Sequence, residues 1–194
     1  VYEVHHDQAT LRMRYLKATR NIKLKQNVLD ALKSTRATMM IDCTQFSSND
    51  VPYALDICLF DKNVQEVHYP HSLPLQPLLT FLSTDNKVTL LQLDGPFKKD
   101  SLIAISEAIK NNPNSVVANL FFVHSNWTNK EKSSIISLLQ SRTMTGLIFD
   151  GTSKCINEFF ADREFTNALS DIKRLRLSSI DDVDIAQMVR ALPS

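Results

Sequence analysis

The feature that most constrains this chain is an apolar frame that returns every 24 to 29 residues. It is cleanest at Val88-Thr-Leu-Leu-Gln-Leu93 and recurs at Val117–Phe122, Met144–Phe149 and Ile172–Leu177. Each stretch has apolar residues at its first, fourth and sixth places, followed by a short polar turn and a helix-like segment. The sixth places run Tyr15, Cys43, Tyr69, Leu93, Phe122, Phe149 and Leu177, at intervals of 28, 26, 24, 29, 27 and 28 residues. One strand with one helix cannot bury its apolar face alone, so a chain built from such units must stack them. The reading is a single repeat domain of about seven βα units spanning residues 1–194.

Composition narrows the functional classes. An apolar fraction of 43% suits a packed core, and the net charge of +1 lacks the basic excess of a nucleic-acid binder. No run of eighteen apolar residues occurs, so no membrane span is expected. The start, Val-Tyr-Glu-Val-His-His, is not a signal peptide and has no Met, so the chain reads as a piece of a longer one. Cys43, Cys58 and Cys155 have no pairing spacing and fit buried thiols in a reducing, intracellular and cytoplasmic setting. The sequon Asn126-Trp127-Thr128 points the other way, but chance matches to it are common.

Only three glycines occur, and no window spaces them for a dinucleotide fingerprint. Gly146-Leu-Ile-Phe-Asp-Gly151-Thr-Ser-Lys154 has the glycine spacing of a phosphate loop. Thr152, however, stands where the lysine must follow, and the intervening residues read as a strand.

Taken in order, residues 1 to 9 read as a capping strand or the tail of a preceding repeat. Thr10–Tyr15 is the first strand, and Leu24, Val28, Leu29 and Leu32 mark a helix after it. Thr38–Cys43 is the second strand, and a helix opens near Val51, capped by Ser47 or Asp50, with Pro52 in its first turn. Val64–Tyr69 is the third, flanked by Pro70, Pro74 and Pro77, so its return limb is either a short helix over Leu78–Leu82 or an extended segment. Helices are then predicted at Ser101–Asn111, after the capping box Thr128-Asn-Lys-Glu131, over one stretch from Ile156 to Leu169, and from Val183 to Leu192 after Ser179.

The frame resembles leucine-rich repeats of the ribonuclease-inhibitor type, with L-x-x-L-x-L on a strand followed by a turn and a helix. The resemblance implies an α/β fold: a right-handed βα solenoid, a horseshoe with a parallel sheet on its concave face and helices on its convex face. The family usually places Asn or Cys three residues past the sixth position. Here those places hold Ala18, Phe46, Ser72, Pro96, Ser125, Thr152 and Ile180, so the turns are not tied by that ladder. The degenerate array is similar to the substrate-receptor portions of F-box proteins, which implies a ubiquitin-ligase adaptor that binds a protein. The competing architecture is a doubly wound α/β enzyme with an unrecognised site. Its strands, covered on both faces, would be continuously apolar rather than alternating.

In a horseshoe the residues between the inward ones face a partner. The expected protein-binding set is Gln92, Asp94, Asn119, Phe121, Val123, Ile148, Asp150, Arg174 and Arg176. It is an aromatic and aliphatic centre rimmed by charge, the composition of interface hot spots. The bland alternative is that the rest of the same chain covers this patch. No catalytic, cofactor or metal site is expected. His68 and His71 flank Pro70 and could approach each other, but no Cys or carboxylate cluster completes a zinc set. Cys43 and Asp42 point to opposite faces, and Ser133-Ser134 has no base beside it. Lys98-Lys99 and Lys130-Glu-Lys132 read as solvated charge.

Overall fold

A computed structural model describes residues 2–4, 10–13, 38–45, 48–49, 51–52, 55, 64–123, 129–140, 144–150 and 156–178. The fold is α/β. One sheet is built from β1 (Tyr2–Val4), β2 (Thr10–Met13), β3 (Thr38–Asp42), β4 (Val64–Pro70), β5 (Leu90–Asp94), β6 (Asn119–Val123), β7 (Gly146–Asp150) and β8 (Arg174–Ser178). Strand order follows chain order. β1 is antiparallel to β2, a capping strand at that edge, and every later pair is parallel.

The alternation in the sequence becomes two lateral rows of core residues, because side chains two apart along a strand share a face. Val67, Leu91, Leu120, Leu147 and Leu175 stand in one register row, and Tyr69, Leu93, Phe122, Phe149 and Leu177 in the next. All are buried except Leu175 and Leu177, which are half-buried against the same core. Phe122 and Phe149 stack at 5.5 Å between neighbouring strands. Burying a side chain of this size is worth about 1.5–3 kcal/mol, so these rows dominate the stability of the sheet.

The helices close over that face. They are α1 (Leu75–Leu82), α2 (Lys99–Asn111), α3 (Asn129–Leu139), α4 (Ile156–Phe160) and α5 (Arg163–Ala168). Leu78, Phe81, Leu102, Ile105, Ile135, Leu138 and Phe165 join the same core as the strand rows. The main contacts run between successive strands and between successive helices.

Backbone bonds repeat from unit to unit at both ends of the strands. At the entry, the Asn119 N–H donates to Thr89 O, Gly146 N–H to Ala118 O, and Arg174 N–H to Thr145 O. At the exit, His71 N–H donates to Asp94 O and Gly95 N–H to Val123 O. Gly95 adopts φ +93°, and a Cβ there would stand 2.0 Å from His71 Nδ1, so both backbone and space demand glycine.

Several expectations need correction. β2, β3 and β4 begin at Thr10, Thr38 and Val64 as the frame predicts, but β5 to β8 begin two residues later than it, so Val88, Val117 and Met144 lie before the strands as buried corner residues. α1 starts at Leu75 rather than Leu78, because Pro77 falls in its first turn, where a missing N–H costs nothing. The stretch from Ile156 to Leu169 is two helices. Asp162 breaks it by accepting bonds from Glu164 and Phe165 N–H, which starts α5 afresh. Met40, expected outward, is buried at the point where the β3–β4 register slips. The sheet is not curled, so the expected concave and convex sides are an open face and a helix-covered face.

The predicted helices at Leu24–Lys33 and Val183–Leu192 lie outside the described residues, as do Cys58, Cys155, His5, His6, His124 and the Asn126 sequon. Of the helix after β3, Val51 and Leu55 are described, and both are buried. Among the described residues no helix is long and apolar enough to cross a membrane.

Candidate binding face

Parallel pairing in register fixes which outward residues become neighbours. His68, Gln92, Phe121, Ile148 and Arg176 form one row across β4 to β8, with Asp42 beside His68 on β3. Glu66, Leu90, Asn119, Gly146 and Arg174 form the row before it. Asp94, Val123, Asp150 and Ser178 form the row after it. Neighbouring strands lie about 4.8 Å apart, so the nine positions of the expected set fall together on four adjacent strands, β5 to β8. Gln92, Asp94, Asn119, Phe121, Val123 and Ile148 are half-buried, and Arg174 and Arg176 are exposed. For Asp150 the structure fixes the strand position, between Val123 and Ser178.

Their roles differ. The Asn119 amide donates to Thr89 O at 3.3 Å, and its Oδ1 occupies the place a Cβ on Gly146 would need, 2.1 Å away. Asn119 therefore ties β6 to the turn before β5, and Gly146 is buried beneath it. Among the described residues the Gln92 side-chain amide has no hydrogen-bond partner. Phe121 and Ile148 are direct register partners, which makes them one apolar surface. At the β3–β4 end, His68 Nε2 lies 2.6 Å from Glu66 Oε1, with side-chain exposures of 16% and 31%. Asp42 Oδ1 accepts from Thr44 N–H at 3.0 Å and from Thr44 Oγ1.

His68 and His71 do not share a site. His68 takes Glu66 on the open face, while His71 sits over Gly95 with its Nδ1 3.3 Å from Asp94 O and its ring edge toward Phe97. Cys43 is buried, and burial, with the Asp42 charge second, pushes its thiol up to about 12, so it holds its proton. Burial likewise raises the Tyr69 phenol, with Cys43 second, and its Oη donates to Pro74 O at 2.5 Å. Ser134 is buried and out of reach of a substrate. Lys132 corrects the solvated reading of its group. It is paired with Asp162 across α3 and α5, and that hydrogen bond is the first cause of the lowered Asp162 pKa.

Two residues with structural work escaped the sequence reading. Asn86 and Asn112 are buried in the corners after α1 and α2. Asn86 Nδ2 donates to Phe81 O and Thr84 O, and its Oδ1 accepts from Val88 N–H. Asn112 Nδ2 donates to Leu82 O at 2.8 Å and Thr84 O at 2.7 Å, one repeat earlier, while Oδ1 accepts from Asn114 N–H. The signal was an Asn closing each of these helix segments rather than three places past the frame. No model of a known protein family matches the chain, and no curated protein does.

Proposed function

We propose that the chain is a right-handed βα solenoid of leucine-rich-repeat type and that its open face binds a protein without catalysis. The observation that carries this is the register row that sets Gln92, Phe121, Ile148 and Arg176 side by side on the face the helices leave uncovered. Chain-order strands and contacts between successive units support the solenoid. The same order supports binding over catalysis, since α/β enzymes hold ligands where strand order reverses. In the form suggested by the similarity to F-box substrate receptors, the bound protein is presented for ubiquitination. That places the work inside the cell, in keeping with the free buried Cys43. No cofactor or nucleic acid takes part in this reading.

The test is Phe121→Asp and Ile148→Asp in the full-length protein. Each is expected to cut recovery of the co-purifying partner at least about tenfold, the scale of a lost hot spot, while the thermal transition stays within a few degrees. Unfolding would assign both residues to the core, and undiminished recovery would move binding elsewhere; either sinks the proposal. The ligase form further requires the partner's ubiquitination to fall with its capture.

A further inference from the structure

We infer that the occupant of the open face is an extended peptide segment lying across the strands. It is basic over β3 and β4, apolar over β5 to β7, and acidic over β8. The inference rests on reading that face as protein-binding, and charge order along the row carries it. Asp42 and Glu66, the latter bonded to His68, stand at one end and Arg174 and Arg176 at the other, with Phe121 and Ile148 between them and Asp94 one row further on over β5. Arg174 is the exposed charge on which the acidic end rests, since Arg176 has a partner within the protein. Opposite charges on an occupant match the net sign of both ends at once, whereas a uniformly charged one is repelled at one of them.

The dimensions favour a peptide over a folded surface. From β3 to β8 the row spans about 24 Å, at about 4.8 Å per strand. An extended chain covers that in about seven residues. The apolar centre is only one or two residues deep along each strand, so it suits one or two inserted side chains. Interior strands have their backbone groups committed to parallel pairing, which excludes strand addition. The Gln92 amide, central in the row, is placed to hold the main chain of the segment.

The experiment selects nine-residue peptides from a displayed library randomised over Lys, Glu, Leu, Phe and Ser, against the full-length protein. Enriched peptides are expected to carry Lys at one end, Leu or Phe at the centre and Glu at the other. Their reversal is immaterial, because a chain can lie across the row in either direction. Synthetic versions with two Lys ends or two Glu ends should bind about tenfold more weakly at low salt, a gap that narrows in high salt. Arg174→Glu with Arg176→Glu changes exposed residues and should turn the enriched acidic end basic. Peptides enriched without charge order, or blind to the arginine reversal, overturn this inference and leave the face standing. No enriched peptide, with partner recovery still lost in Phe121→Asp, means a folded occupant and also overturns it. Partner recovery indifferent to Phe121→Asp overturns the face as well.

Discussion

Asn112 shows how much one side chain can hold between successive strand-helix units. Its amide satisfies two carbonyls of the preceding unit while its own oxygen fixes the next turn. Replacing it by Ala strips Leu82 O of that donor, while Thr84 O keeps the Asn86 amide. A buried group stripped of its partner costs about 1–3 kcal/mol, so Asn112→Ala should lower the urea midpoint by that equivalent with an unchanged slope. A loss below about 0.5 kcal/mol would mean water takes over the carbonyls. Cys43 gives a pH signature instead. Its folded pKa of about 12 lies above the ordinary 9.0, so the native state resists losing the proton. Stability from this group is complete below pH 9.0 and is lost as pH rises toward 12. The loss runs at up to about 1.4 kcal/mol per pH unit. Cys43→Ala should flatten the fall between pH 9 and pH 11 in chemical denaturation, and an unchanged pH slope would place the thiol in contact with water.

Whole elements were legible where local chemistry and packing agreed, and illegible where a single bond decided between alternatives. The apolar frame placed the rows through Leu91, Leu120 and Leu147, because alternation has one solution once a face is buried. The open-face positions were legible by subtraction from the same frame, apart from the role of Asn119, which depends on the carbonyl of Thr89 one unit away. The break between α4 and α5 was hidden, since Phe159, Phe160, Phe165 and Leu169 make one continuous apolar pattern. What ends it is Asp162, which caps α5 and also takes Lys132 from α3. Those functions separate by substitution. Asp162→Asn keeps a capping oxygen and loses the charge; Asp162→Ala loses both, and a lost cap costs about 1 kcal/mol. The Asp162 pKa is lowered from its ordinary 3.8. Its contribution is therefore present above that value and fades as pH falls through the folded value. The stability gap between wild type and Asp162→Asn should close in acid and shrink at neutral pH in a Lys132→Met background, where only the bonds from Glu164 and Phe165 N–H still favour the carboxylate. A gap undiminished by Lys132→Met would show that the pair is not its source.

At the scale of the molecule, inter-unit bonds link residues about one repeat apart. Asn112 to Leu82 spans 30 residues, Asn119 to Thr89 30, Ser106 to Ser137 31 and Lys132 to Asp162 30. The main contacts likewise join successive strands and successive helices. In the solenoid proposed above, energetics reduce to terms within a unit plus terms between neighbours, so damage to one unit should stay local. Leu93 is fully buried, central in its row and flanked by Tyr69 and Phe122. Leu93→Ala leaves a cavity worth about 2–5 kcal/mol. Amide exchange read by mass spectrometry should then rise most in β5, next in β4 and β6, and least in β8. A doubly wound domain with one shared core would lose protection across all strands together, as a single cooperative unit does. Uniform loss through β8 would therefore reject the stacked architecture, and the open face that depends on it would have to be sought on a different surface.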